Sequence, residues 1–304
     1  MRLEERPDPV PGSEELLVAA PFAGVNTADL AQRAGAYPAP PGAPQDVPGL
    51  EIAGTVVARG SAVRDFSEGD RVFGLVGGGG LADRVLVHER HVAHVPDRLI
   101  DEEAAAVPEA FITAHDALVT QADLGLGDVL LVNGANGGVG TAAVQIGLAS
   151  GARVFASARS GLERLAELGA NAVTPDEAVM QVQAAGGADV ILELVGAPNL
   201  DGNLDALATK GRIAVVGTLA GAEAVLSFRK LMGKRARLFG TVLRVRTTEE
   251  KANAVRAFAH DVVPLLAAGR LRAVIDRIFP AEEAGDAFDH MASSGKFGKV
   301  LLAF

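Results

Sequence analysis

The chain has 304 residues, no cysteine and a formal net charge of −10, with 49% hydrophobic and 22% charged residues. That length allows two domains with a large core, and the acidic balance argues against a general nucleic-acid or anionic-membrane surface. Without cysteine there are no disulfides and no thiolate zinc sites; no apolar run reaches membrane-span length, and the acidic, Pro-rich start MRLEERPDPVPG lacks a signal core, so a cytoplasmic protein is expected.

Short apolar or alternating runs at 16–20, 52–58, 71–75 and 84–87, separated by Gly and Pro clusters, predict a small irregular β domain. From 101 to 121 the pattern turns helical, with Pro108 as an interruption. Strand candidates then follow at 129–132, 153–157, 172–173, 189–194, 212–216 and 238–243. Helical candidates at 141–149, 162–168, 176–184, 199–208 and 227–234 alternate with them. Such alternation implies an α/β fold with a parallel sheet covered on both faces, and six strands match the doubly wound dinucleotide fold. The tail changes character: 248–268 reads as one long amphipathic helix, 273–279 as a strand, 282–292 as a helix and 299–304 as a final strand. It is expected to return to the first domain, so that residues 108–243 form a cofactor domain inserted between 1–107 and 244–304.

The first strand of the alternating region leads into a phosphate-binding pattern. In VLLVNGANGGVGTAAVQIGL (129–148) an apolar strand passes through glycines into an Ala-rich helix. Bare glycines let backbone N–H groups approach an anion, and the helix N-terminus adds partial positive charge. The three fingerprint positions are Ala135, Gly137 and Gly140, with Asn136, Gly138 and Val139 in the same turn. Alanine at the first position departs from the literal motif; a pyrophosphate is still expected there.

The second strand ends in Ala158-Arg159-Ser160, with no acid before Glu163. A unit that binds NAD places an Asp or Glu at that point for the ribose hydroxyls, so NADPH is expected over NADH. Arg159 can donate bidentate bonds to a 2′-phosphate, with Ser157 and Ser160 as hydroxyl donors and Arg164 as a second candidate. Doubly wound sheets bind ligands at the carboxyl ends of their strands, which adds Gly217, Thr218, Leu219, Thr241 and Leu243. His88, His91 and His94 recur every three residues; in an extended segment that spacing sends neighbours to opposite faces, and no metal site is expected.

The segments AGVNTADLAQRAGAYP (23–38), PGLEIAGTVVARG (48–60), GDRVFGLVGGGG (69–80), PEAFITAHDAL (108–118), NGANGGVGTAAVQ (133–145) and GKVLL (298–302) agree in order and spacing with one family. They resemble the medium-chain dehydrogenase/reductase superfamily, in its zinc-free quinone oxidoreductase branch. The resemblance implies a Rossmann domain inserted in a GroES-like, β-rich catalytic domain, hydride transfer from NADPH to a quinone without metal, and a homodimer paired through the last Rossmann strand near 238–243. Zinc enzymes of the superfamily carry a Cys where this chain has Asn26 and a His where it has Leu50. Asn26 and Tyr37 match positions at which the branch places polar residues beside nicotinamide and substrate. A donor there would stabilise the charge that develops on the substrate oxygen. The hydroxyl of Tyr37, the only tyrosine, can orient substrate or relay a proton, and the Asn26 amide can donate. Thr113 lies where the family places residues near the nicotinamide ribose, and His115 stands where relatives usually carry tryptophan.

Three departures accompany the resemblance. The chain begins about where relatives already have a leading strand, the segment after Arg159 is shorter, and a lysine often found there for the phosphate is missing. Substrate shape is expected to depend on the loops at 37–46 and 75–81. Two other functions stay open: an enoyl or enone reductase of the same fold, and a non-catalytic NADPH-binding sensor. A short-chain dehydrogenase would need Tyr-x-x-x-Lys, a serine hydrolase G-x-S-x-G and a phosphate-loop protein G-x-x-x-x-G-K-[ST], and none of these occurs.

Overall fold

A computed structural model describes residues 1–304. Its contacts divide the chain into two units: Met1–Ile112 with Leu243–Phe304, and Thr113–Val242.

The first unit is built on a seven-stranded sheet in which the long strand Glu15–Val25 is the hub. It pairs antiparallel with Glu51–Arg59, Arg84–His88 and the last strand, Lys299–Ala303. Register shifts at Leu17/Val18 and Ala19/Phe22 bend it, and such irregularities let one strand change partners along its length. Alternating side chains from these strands, among them Leu16, Val18, Ile52, Val56, Val85 and Val87, form one core. A second core gathers Val25, Phe279, Phe288, Val300 and Leu302 around the junction of first and last strands.

The amphipathic stretch expected as one helix over 248–268 is two, Thr248–Asp261 and Val263–Ala267. Pro264 lacks the N–H an uninterrupted helix would use, and its ring excludes the preceding turn. The first of the two is opened by Thr247, whose hydroxyl and N–H both bond Glu250, and it buries Lys251, Ala252, Ala254, Val255 and Phe258. The histidine segment is not extended as expected. A 3-10 turn at Glu89–His91 brings the His88 and His91 rings to 5.2 Å, while His94 packs on Phe66 at 4.7 Å. His88 Nδ1 accepts from the Arg90 N–H, and His91 Nε2 bonds Thr248 O.

The second unit holds a six-stranded, wholly parallel sheet. From edge to edge its strands are Arg237–Gly240, Leu207–Val215, Ala188–Glu193, Val129–Asn133, Arg153–Ser157 and Asn171–Val173. Strand order reverses between Val129–Asn133 and Ala188–Glu193, the switch point at which such sheets bind ligands. Helices Gly138–Ala149, Leu162–Glu167, Pro175–Ala184, Leu200–Ala206 and Phe228–Lys234 provide the crossovers. The strand expected at 212–216 starts earlier, at Leu207, with Lys210 at φ +68 and a register shift before Arg212. The strand expected to reach residue 243 stops at Gly240.

Candidate functional site

The turn after Val129–Asn133 has the geometry of an anion cradle. Gly134 sits at φ +78, and the N–H groups of Gly134 and Ala135 both donate to Ser157 O at 3.0 Å, tying the turn to the neighbouring strand. Gly137 caps the helix without a side chain. A Cβ on Gly140 would lie 2.5 Å from Gly134 O and 2.6 Å from Ala135 Cα, so only glycine lets helix and turn approach this closely. The first N–H groups of the helix, at Gly138, Val139 and Gly140, have no intrahelical acceptor. Backbone donors around an open, glycine-lined turn fit the pyrophosphate of a dinucleotide.

Around that turn, Ser157 is buried, Arg159 is exposed and Ser160 half-buried at the end of the second strand. Gly217 is half-buried, Thr218 is exposed, and Leu219 is exposed to 68%. Thr113 is buried. Thr241 Oγ1 accepts from Gln121 Nε2 at 2.6 Å, and its backbone N–H donates to Val215 O. Leu243 lies beyond the last strand and belongs to the first unit. Beside the turn stands a buried carboxylate, Glu193. Its Oε1 accepts from the N–H groups of Val195 and Gly196, both at 2.7 Å, and its Oε2 from Asn133 Nδ2 at 2.8 Å and Asn203 Nδ2 at 2.7 Å.

The first unit holds a second polar centre. Glu51, 1% exposed, receives Lys299 Nζ at 2.5 Å and Asn26 Nδ2 at 2.9 Å on Oε1, and the Glu109 N–H at 2.8 Å on Oε2. Lys299 Nζ also donates to Asn26 Oδ1 at 2.6 Å, and Asn26 Nδ2 makes a longer bond to Gly24 O at 3.3 Å. The Asn26 amide is thus engaged at both ends. Next to it, Asp29 is fully buried, its two oxygens accepting from the N–H groups of Asn26 at 2.7 Å and Gly49 at 2.8 Å. Burial pushes its carboxyl up to about 6, against the pull of those hydrogen bonds and of the Lys299 charge.

Tyr37 is half-buried and lies beneath the Arg244 guanidinium, 4.9 Å from ring centroid to Cζ. Arg244, itself buried, donates from Nε to Gly77 O at 2.8 Å, from Nη1 to Tyr37 O at 2.9 Å and from Nη2 to Gln32 Oε1. It therefore joins both loops expected to shape the substrate pocket, 37–46 and 75–81. Burial raises the Tyr37 phenol above its ordinary range, with Arg244 acting in the opposite direction. Leu50, Leu75, Val76 and Leu243 wall a small cavity whose polar corner is Glu109, Arg244 and Lys251.

The family models place the same two architectures on this chain. Residues 12–97 match the alcohol dehydrogenase GroES-like domain, and 138–260 match the zinc-binding dehydrogenase domain. The quinone oxidoreductases of Lama guanicoe and Sus scrofa are each 33% identical over 97% of this chain and 90% of their own length. The chain belongs to the quinone oxidoreductase branch of the medium-chain dehydrogenase/reductase superfamily. Solved relatives include an alcohol dehydrogenase superfamily protein from Novosphingobium aromaticivorans, 31% identical, with a TM-score of 0.88 over 99% of this chain and 95% of that one. A mycobacterial protein solved as a complex with NADPH is 26% identical, with a TM-score of 0.87 over 99% and 95%. The CurK enoyl reductase is 25% identical, with a TM-score of 0.84 over 99% and 94%.

For this oxidoreductase the family implies a nicotinamide cofactor, and the glycine turn has the form such a cofactor needs. No helix is long and apolar enough to cross a membrane. Several polar residues of the two centres, Asp29 and Asn203 among them, were not singled out from sequence. Glu51 opens the strand EIAGTVVAR and Glu193 closes ADVILE, each an acid directly beside an apolar run, a juxtaposition that could have marked them. Glu109, Arg244, Lys251 and Lys299 carry no such local signal.

Proposed function

We propose that this oxidoreductase is an NADPH-dependent quinone reductase that works without metal. The observation that carries the reading is the Gly134–Gly140 cradle, in a chain that is 33% identical over 97% of its length to the quinone oxidoreductases of Lama guanicoe and Sus scrofa. The helix N-terminus at Gly138–Ala149 would hold the cofactor's pyrophosphate, and Arg159, exposed and followed by Ser160, would hold its 2′-phosphate. The cofactor supplies a hydride.

Substrate is held by the first unit. Tyr37, fixed by Arg244, orients the ring, and Asn26 presents the amide hydrogen that otherwise makes the long bond to Gly24 O. Asn26 and Leu50 occupy the two places where zinc enzymes carry Cys and His, and neither is a zinc ligand of that kind. Across the chain no three His, Asp or Glu side chains gather where they could hold a metal. Two copies of the chain pair through the strand Arg237–Gly240, which has one unpaired edge in the sheet.

Anaerobic NADPH consumption against ortho- and para-quinones, beside straight-chain enals and with NADH in parallel, tests the reading. Quinone turnover that prefers NADPH supports it. Turnover of enals alone would move the protein to the enoyl reductases, and cofactor binding without turnover to the sensors.

A further inference from the structure

Two lysines of the first unit are buried, and they meet the cost of burial in different ways. An ammonium taken out of water loses several kcal/mol of hydration unless acceptors replace it. Lys299 has two, Glu51 and Asn26. Lys251 is only 8% exposed, and its ammonium takes part in no hydrogen bond or ion pair of the chain. Yet no side-chain nitrogen or oxygen is sealed from solvent without a partner, so the Lys251 ammonium must open onto accessible space. That space is the cavity it lines with Leu50, Glu109 and Arg244.

The cavity adjoins the Asn26 centre through covalent neighbours: Leu50 precedes Glu51, and the backbone of Glu109 bonds the Glu51 carboxylate. Its other cation is already committed, since Nε, Nη1 and Nη2 of Arg244 each hold an acceptor, Gly77 O, Tyr37 O and Gln32 Oε1. Burial lowers the Lys251 ammonium below the ordinary lysine range; the Glu109 charge opposes that and the Arg244 charge adds to it. An uncommitted donor at the polar corner of an apolar cavity suits a ligand with an apolar ring and one oxygen that carries, or comes to carry, negative charge. The cavity, about 10 Å³, has room for one water-sized group, so it takes the oxygen of such a ligand and leaves the ring outside.

We infer that Lys251 is the residue that receives the substrate's oxygen. The inference rests on the reductase reading for its chemistry. With the hydride that a bound reduced nicotinamide would supply, itself being oxidised, the quinone would become a hydroquinone monoanion, and Lys251 would pass one proton to its oxygen. The neutral amine recovers its proton from water through the cavity. The same ammonium binds a phenolate in the absence of any cofactor, which separates the subsite from the reaction.

The test is a spectroscopic titration of the cofactor-free protein with 4-nitrophenol, followed by the phenolate absorbance. Bound probe is expected to ionise about one pH unit below free probe, an approximately tenfold preference for phenolate. Lys251→Met removes that preference, and Lys251→Arg, which keeps the charge, retains it; Lys251→Gln replaces the Met variant should that one not fold. An unshifted probe in the wild-type protein, or a shift that survives Lys251→Met, overturns the assignment. If the Lys251-dependent shift is present but no quinone is turned over, the oxygen subsite stands and the reductase reading falls. If quinones are turned over and Lys251→Met keeps both kcat and the phenolate preference, the reverse holds.

Discussion

Lys299 lies 273 residues beyond Asn26, and its Nζ donates to Asn26 Oδ1 at 2.6 Å while also bonding Glu51 at 2.5 Å. The ammonium serves as both charge partner and clamp. Lys299→Met leaves the Glu51 carboxylate in its 1%-exposed site with neutral donors only, and breaking a buried pair from one side costs about 3–5 kcal/mol. Guanidinium unfolding is expected to show that loss. The double variant with Glu51→Gln should lose less than the two single losses combined, since each single change strands the other charge. Additive losses would mean that the pair is not coupled.

Asp29 gives the protein an inverted acid response. Its native carboxyl, at about 6 against an ordinary value of 3.8, holds a proton that the unfolded chain releases earlier. The unfolded state therefore binds fewer protons between those values, and this group's contribution is full below the lower one and is lost as pH rises through the upper. The interval corresponds to roughly 3 kcal/mol. Asp29→Asn removes the titration and weakens one of the two N–H bonds. The stability gap between wild type and variant should therefore narrow between pH 4 and 7, and a gap that widens would reverse the sign argued here.

At the nucleotide turn, Gly140→Ala drives a methyl group into backbone atoms of Gly134 and Ala135 that no rotamer change can move. Overpacking of this kind costs about 1–3 kcal/mol, and displacement of the turn is expected to weaken NADPH binding by about tenfold or more. Gly137→Ala meets its nearest atom, Gly134 O, only at 3.8 Å and should fold normally. NADPH fluorescence titration and thermal unfolding of both variants separate the two positions; equal effects would remove the steric argument.

Arg159→Ala tests cofactor choice. A charge-assisted hydrogen bond contributes about 1.5–3 kcal/mol, so the KM for NADPH is expected to rise by about 10–100-fold with little change for NADH. A similar rise for both cofactors would place Arg159 outside the 2′-phosphate site.

The glycine turn and the parallel sheet were legible because their signals are local. Positive φ, a bare helix start and apolar runs bounded by turns all lie within a few residues of what they determine. The strand 153–157 was found to the residue for that reason. Where two local signals competed, the sequence misled. The amphipathic period of 248–268 hid the break that Pro264 makes, and the apolar continuation after Gly240 carried the strand reading past its end. The polar centre of the first unit was only half legible. Asn26 and Tyr37 came through family resemblance, whereas Glu51 and Lys299 find each other across 248 residues, and no window of sequence contains both. Lys251, within TTEEKANA, has the composition of a solvated helix face and is buried by tertiary packing alone.

The pairing of Glu15–Val25 with Lys299–Ala303 also orders events during synthesis. Thr113–Val242 is continuous in sequence, and its sheet can assemble while the ribosome is still working. The opening strand pairs early with Glu51–Arg59 and Arg84–His88, but its end, residues 22–25, waits for residues 300–303 of the last strand to be made. Until residue 299 emerges, Glu51 is an acid without a counter-ion and Asn26 a side chain without an address. The Asn26–Glu51–Lys299 centre is thus among the last parts of the molecule to come into being.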